Sequence, residues 1–184
     1  MLWEMLARDP HHSRAMNRLA DVYRMGGGYE RAIVLWEKLL RVHQKPSTLE
    51  MYIKRQLGLA YEHAKDVQKA AAIWEDMMKR DPQDILLQKK LADAYSVIGD
   101  NERAITIWKG LLQRIPDDER VGLMLAAAYE TKRDYDRAIA VCKGLLQRLP
   151  QSARVQNYLG IVREKKNKKK LRIDRVLNWS ISGT

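Results

Sequence analysis

Residues 91–116 read LADAYSVIGDNERAITIWKGLLQRIP, and residues 125–150 repeat the same plan as LAAAYETKRDYDRAIAVCKGLLQRLP. Each stretch opens on Leu, closes on Pro, and starts 34 residues from its neighbour. The period extends outward through leucines, tyrosines, alanines and prolines: Leu19, Leu57, Leu91, Leu125, Leu159; Tyr23, Tyr61, Tyr95, Tyr129; Ala32, Ala70, Ala104, Ala138; Pro82, Pro116, Pro150. Only the first leucine interval differs, at 38 residues. Four residue types sharing one period indicate a repeat protein.

Within each unit the apolar residues follow a helical spacing twice, with a break between. In residues 85–118 one stripe includes Leu91 and Tyr95, and the second includes Ala104 and Trp108. This spacing predicts two amphipathic helices. The break falls at Gly99-Asp100 here and at Gly27-Gly28, Lys65-Asp66 and Arg133-Asp134 in the other units. A proline such as Pro116 then ends the second helix.

These residue types resemble the tetratricopeptide repeat over about residues 1–162. The motif places Leu, a small residue, Tyr, Ala, a bulky residue and Pro at fixed spacings. It reads Leu57, Gly58, Tyr61, Ala70, Trp74, Pro82; Leu91, Ala92, Tyr95, Ala104, Trp108, Pro116; and Leu125, Ala126, Tyr129, Ala138, Cys142, Pro150. The first unit has Leu19, Ala20, Tyr23, Ala32 and Trp36, and delays its proline to Pro46. The small residues are expected to let helices approach closely, and the tryptophan series is expected to be core.

The resemblance implies an all-α fold, a right-handed superhelical solenoid of antiparallel helix pairs. We divide the chain into 1–12 (second helix of a truncated leading repeat), repeats 13–50, 51–84, 85–118 and 119–152, and 153–184 (divergent fifth repeat or capping helix), all in one solenoid domain. A front helix without its partner has two explanations. Either the chain is cut from a longer array, which we favour, or a partner copy covers the exposed face.

Two further departures carry predictions. Ser47-Thr48-Leu49-Glu50 fits a capping box and predicts that the next helix starts about one turn early. At the back, Arg163 stands where tyrosine is expected and Arg172 where alanine is expected. Arginine does not permit close helix packing there, which favours a capping helix with Leu171, Ile173, Val176 and Leu177 over a true fifth repeat.

In tetratricopeptide arrays the first helix of each pair lines the concave side, which implies a groove. The leucine register predicts these groove residues: Arg14, Asn17, Tyr52, Arg55, Leu86, Lys89, Asp93, Arg120, Leu123, Arg154 and Asn157. One flank is basic, the other is partly acidic, and apolar residues such as Leu86 and Leu123 cluster toward the C-terminal half of the groove. This combination suits an extended or helical peptide, with charge at its edges and apolar anchors. A deeper line continues through Glu62 and Glu130.

The family's carboxylate clamp for acidic chaperone tails is not matched in either frame. The corresponding places hold Asn17 and Asp21, then Gln56, then Leu86 and Lys90. Starting one unit later gives Arg55 and Leu59, Lys90, and Arg120 and Met124. Chaperone-tail docking of that type is therefore not expected.

The net charge of +11 is concentrated near the end of the chain. Residues 163–175 carry +6 through Arg163, Lys165, Lys166, Lys168, Lys169, Lys170, Arg172 and Arg175 against Glu164 and Asp174. This basic segment could contact nucleic acid or an anionic surface in a salt-sensitive, sequence-independent way. It could equally be a solvated helix end, and nothing nearby interleaves aromatic side chains for base stacking.

The sequence favours a binding module over an enzyme. Adjacent His11 and His12 point in different directions on a helix, and no His, Cys or carboxylate spacing resembles a zinc site. Cys142 occupies a core position, and Gly26-Gly27-Gly28 lacks the Lys-Ser/Thr of a phosphate loop. We expect no cofactor, no membrane span and a protein or peptide partner. The chain is expected to be a monomer or to self-associate weakly through its N-terminal helix, and to be cytoplasmic, with the nucleus as the alternative.

Overall fold

The computed structural model describes residues 12–42 and 47–182 together with Met5, Arg8 and Asp9, and side chains as far as Arg172. The described residues form nine α-helices in two compact units, residues 1–98 and 99–184. The tetratricopeptide-like, all-α fold is therefore confirmed. Of the predicted front helix, Leu2, Leu6 and Pro10 lie outside the described residues, as does Pro46.

The first unit contains five helices that pack in chain order. They are α1 (Ser13–Met25), α2 (Tyr29–Val42), α3 (Thr48–His63), α4 (Val67–Met78) and α5 (Ile85–Ile98). Short turns within each pair make α1 antiparallel to α2 and α3 antiparallel to α4. We call α1, α3 and α5 first helices, because each carries the repeat leucine.

The second unit contains four helices. They are α6 (Asn101–Arg114), α7 (Glu119–Thr131), α8 (Tyr135–Arg148) and α9 (Ala153–Ser182). Each packs on the next, and α9 also contacts α7. In this unit α7 and α9 are the first helices.

The four predicted turns share one backbone device. Each contains a residue with positive φ, namely Gly27 (79°), Lys65 (63°), Gly99 (91°) and Arg133 (59°). In three of them the next residue is an aspartate whose carboxylate accepts the backbone N–H three residues on, at 3.1–3.3 Å. The aspartate caps the following helix, so the Lys-Asp, Gly-Asp and Arg-Asp pairs fix where each second helix begins.

The core follows the repeat register. Trp36, Trp74, Trp108 and Cys142 are each at most 1% exposed, which confirms their predicted place in the core. Gly58 and Gly122 explain the close helix approaches. A Cβ on Gly58 would lie 2.6 Å from the Trp74 ring, and one on Gly122 would lie 2.4 Å from Leu145 Cδ1.

Two helices depart from the regular repeat. The others that carry a repeat leucine begin six residues before it, whereas α3 begins nine before Leu57, at Thr48. The predicted early start is thus confirmed, with Ser47 Oγ accepting the Glu50 N–H at 3.1 Å. Helix α9 runs unbroken through Asn167-Lys168, where the register places a turn. Lys168 stands where three of the other repeats have the aspartate that caps the second helix, and the chain continues as one long helix.

Candidate functional site

In the first unit, the predicted groove residue Tyr52 and the acid Asp21 join neighbouring first helices. Tyr52 on α3 is 40% exposed and donates its hydroxyl hydrogen to the Asp21 carboxylate on α1, at 3.1 and 3.2 Å. Partial burial, followed by the nearby Asp21 charge, raises the pKa of Tyr52. Tyr52 and Asp21 therefore lie on a surface shared by α1 and α3, which we call the first-helix face of the unit.

A second link joins α3 to α5. Glu62 accepts the indole N–H of buried Trp74 at 3.0 Å and an ammonium hydrogen of Lys90 at 2.7 Å. One carboxylate thus ties the core of the α3–α4 pair to the first helix of the next repeat. In the repeat before, the side-chain oxygen of Asn17 accepts the Trp36 indole N–H at 2.9 Å, within the α1–α2 pair.

The cations of this face are only partly neutralised. Arg55 lies 3.5 Å from the Asp84 carboxylate, and Asp84 also accepts the backbone N–H groups of Leu86 and Leu87 at the start of α5. Arg14 is exposed and has no ion-pair partner within residues 12–42 and 47–172. Of the predicted basic flank, Arg55 is therefore held by a helix-capping aspartate, and Arg14 is exposed.

Apolar surface lies along the same line of the repeat. Leu86 on α5 is 52% exposed and occupies the register position that Tyr52 occupies on α3. Neither side chain is part of the core, and burying either against a partner would remove apolar area from water. Lys89 and Asp93 follow on α5 and are half-buried.

The second unit repeats this arrangement with α7 and α9. Glu130 on α7 accepts the Tyr158 hydroxyl hydrogen at 2.7 Å and also pairs with Lys165, both on α9. Burial opposes ionisation of Glu130, but the Lys165 and Tyr158 hydrogen bonds outweigh it and lower the pKa of the carboxyl. As in the first unit, the acid five residues after one repeat leucine therefore bonds the residue that immediately precedes the next repeat leucine.

The remaining predicted residues of this unit lie on the same helices. Arg154 is exposed and pairs with Glu119 at 3.5 Å, and Glu119 also accepts the Ser152 hydroxyl hydrogen at 2.6 Å. Arg120 and Asn157 are exposed, and Leu123 is half-buried. Lys90 and Tyr158 were missed as site residues. Their signal was in the register, since each lies 28 residues after the acid it contacts.

The basic segment lies on the exposed part of α9. Three of its lysines are in ion pairs: Lys165 with Glu130, Lys166 with Asp136, and Lys168 with Glu164 at 2.6 Å. Arg163 and Arg172 are exposed. The side chain of Arg175 lies outside the described residues. Structural carboxylates therefore offset part of the charge that the sequence concentrates here.

Away from the first-helix faces, a buried ion-pair network joins α3 to α4. Glu50 is 7% exposed, binds both guanidinium nitrogens of Arg80 at 2.9 and 3.0 Å, and pairs with Lys54 at 2.6 Å. The Lys54 and Arg80 hydrogen bonds lower the pKa of Glu50 to about 2. Arg80, which lies just beyond the end of α4, is therefore a partner of a buried acid.

Among the described residues, no three His, Cys, Asp or Glu side chains gather as metal ligands would. Burial raises the pKa of the Cys142 thiol to about 11, which disfavours the reactive thiolate. None of the helices searched over those residues is both long enough and apolar enough to span a bilayer.

Two tetratricopeptide repeat family models match the chain, one at residues 62–128 and again at 99–162, the other at 27–85. Together they span most of the sequence. The chain belongs to the tetratricopeptide repeat family. No curated protein sequence matches it.

Solved structures share the fold at low sequence identity. A MamA crystal structure is 20% identical, with a TM-score of 0.67 over 83% of this chain and 81% of that one. MamA 41-end from Desulfovibrio magneticus RS-1 is 17% identical, with a TM-score of 0.69 over 92% and 96%. YrrB, described as a TPR protein with an unusual peptide-binding site, is 12% identical, with a TM-score of 0.65 over 90% and 84%. Nothing in these similarities supports nucleic-acid binding by the basic segment.

Proposed function

We propose that this protein is an interaction scaffold whose first-helix faces bind a peptide or helical segment of a protein partner. The observation that carries the proposal is in the first unit. Tyr52 and Leu86 leave large apolar surface exposed at the same position of consecutive first helices, with Arg55 and Lys89 three residues further along each helix. Apolar anchors flanked by charge are typical of helix-in-groove and extended-peptide recognition.

The side-chain links between first helices support a preformed surface. The pairs Tyr52–Asp21 and Lys90–Glu62 hold α1, α3 and α5 to one another, so a ligand would meet side chains that are already placed. Preorganised sites lose less conformational entropy on binding. YrrB provides a precedent for peptide binding by this fold.

The chemistry of the face also limits the ligand. Exposed Arg14 and the cations Arg55 and Lys89 favour acidic residues in the ligand, and Leu86 favours an apolar residue between them. The preferred partner segment is therefore acidic and amphipathic. In the second unit, Arg120 and Arg154 favour the same ligand character.

The test is a pull-down that compares two triple charge reversals. One replaces the face residues, Arg55→Glu, Lys89→Glu and Arg120→Glu. The matched control makes the same change in charge on second helices, Lys38→Glu, Lys109→Glu and Lys143→Glu, all at exposed positions. Thermal melts first verify that both variants fold.

The proposal predicts that proteins retained by the wild type and the control are lost from the face variant. Equal retention by both variants, or equal loss from both, contradicts the proposal. In the first case the partner does not bind the first-helix face, and in the second case binding depends only on the total charge of the chain.

A further inference from the structure

The second unit contains a basic pocket whose lining residues come from two segments that are distant in the sequence. It is a depression of about 490 Å³, open to solvent, between the α7–α8 turn and α9. Its cations come from both places, Lys132 and Arg133 from the turn and Lys166, Lys169 and Lys170 from the helix. The pocket shares no residue with the predicted groove, so a ligand in the pocket would be independent of the proposed function.

Charge in the pocket is unbalanced. Five cations line it against two carboxylates, Asp134 and Asp136. Both carboxylates are already engaged, since Asp134 caps α8 and pairs with Arg137, and Asp136 pairs with Lys166. The net formal charge of the lining is therefore +3, and neither acid is left to balance the remaining cations.

Three of the cations have defined partners. Lys132 pairs with Glu102 on α6, and Lys166 with Asp136. The Lys169 ammonium lies 5.6 Å from the centre of the Tyr135 ring and donates a hydrogen to the Arg133 carbonyl oxygen at 3.5 Å. This contact ties α9 to the turn and fixes one cation at the pocket.

The other two cations have none. Within residues 12–42 and 47–172, the guanidinium of Arg133 and the ammonium of Lys170 make no ion pair or hydrogen bond. Arg133 also holds an unfavourable backbone conformation, with φ at 59°, which places an arginine where glycine is the usual residue.

We propose that this pocket binds a phosphate monoester group. Arginine offers paired N–H donors that match phosphate oxygens, and a lysine adds a point charge. A dianion would balance the two cations, Arg133 and Lys170, that have no ion pair within residues 12–42 and 47–172. The compact site fits one such group better than a polyanion strand, because Lys165, Lys166 and Lys168 along α9 are already held by carboxylates.

The proposal is tested by NMR titration of the full chain with inorganic phosphate at pH 7.5 and constant ionic strength. The expected result is a saturable shift of the amide signals of residues 132–136 and 166–170. Arg133→Asn keeps a residue that tolerates positive φ. This variant and Lys170→Gln are each expected to weaken binding by about tenfold, the loss of one charged hydrogen bond.

The matched control is Lys168→Gln, which removes the same charge from the same helix but outside the pocket. Its phosphate affinity is expected to equal that of the wild type. A phosphoserine peptide and its unphosphorylated form then distinguish the source. Tighter binding of the phosphopeptide than of free phosphate assigns the group to a modified protein, and the reverse assigns it to a small phosphate compound.

Two results overturn the proposal. One is a shift that grows without saturation across all basic residues. The other is equal weakening by Lys168→Gln and Lys170→Gln. A single-stranded oligonucleotide that binds all variants equally, without a saturable response to phosphate, would leave α9 as a general polyanion surface and refute the pocket.

Discussion

Replacing Gly58 with alanine tests the packing that defines each helix pair. The new Cβ would lie 2.6 Å from two atoms of the Trp74 ring and 2.9 Å from a third. An ordinary carbon contact needs about 3.5 Å or more, so the indole would have to move by roughly 1 Å. Trp74 is 1% exposed and its N–H is bonded to Glu62, so it has little room to move.

The magnitude follows from three contributions. Overpacking of this kind destabilises by about 1–3 kcal/mol. Weakening of the Trp74–Glu62 hydrogen bond adds up to about 1 kcal/mol. The better helix propensity of alanine offsets about 1 kcal/mol. We expect Gly58→Ala to lower the free energy of unfolding by up to about 3 kcal/mol, which lowers Tm by up to roughly 10 °C in a chain of this size.

The assay is urea unfolding followed by circular dichroism, with Gly144→Ala as the control. A Cβ on Gly144 meets nothing within 4 Å, so that variant should be more stable than the wild type by about 0.5–1 kcal/mol. If Gly58→Ala is as stable as Gly144→Ala, α4 moves away from α3 without a cost in stability, and the close-packing argument is wrong. Ala20 occupies the equivalent position of the first repeat, so alanine fits there where the facing helix leaves room.

Three further predictions concern stability and reactivity. Glu50 has a pKa lowered from 4.5 to about 2. The contribution of ionised Glu50 to the free energy of unfolding is therefore complete above about pH 4.5 and is lost as the pH falls toward 2. Because Arg80 is partly exposed to solvent, that contribution is about 1–3 kcal/mol. Urea unfolding across that range should show the loss in the wild type and not in Glu50→Gln. Lys65→Gly relieves the strain of a positive φ at an exposed turn, so it should raise the free energy of unfolding by about 0.5–1 kcal/mol and raise Tm. An unchanged or lower Tm counts against strain at that turn. The Cys142 thiol, buried and with its pKa raised to about 11, should react with a thiol reagent only after unfolding; rapid labelling of the native protein would show that the site opens.

The helical plan could be predicted from the sequence because it depends on local spacing. The turns at Lys65-Asp66 and Arg133-Asp134 lie where the register placed them, since an αL residue followed by a capping aspartate is a short-range signal. The burial of the tryptophan series was predictable for the same reason. The continuous α9 was only half predictable. Arg172 argues against a packed second helix, and Lys168 supplies no capping carboxylate, but neither residue predicts that the helix runs on without a turn.

The side-chain network could not be predicted, because its partners are distant in sequence. Ser47 caps α3 as the capping box requires, but the Glu50 carboxylate bonds Arg80, thirty residues later, and Lys54. Similarly, the position of Arg80 at a helix end predicts only that it offsets the helix dipole. Long side chains choose among several acceptors according to helix packing, which residue spacing alone does not specify. The pocket at Arg133 and Lys170 was missed for the same reason.

The most direct test of the scaffold function is photocrosslinking from Leu86. A photoreactive residue there would report contact at the first-helix face, and one at Val34 on α2, 63% exposed, serves as the control. We predict that a discrete partner protein crosslinks to position 86 and not to position 34. An excess of the unlabelled wild-type chain should abolish that crosslinked product by competition. Equal crosslinking from both positions, or crosslinking from position 34 alone, would contradict the claim that the first-helix face binds the partner.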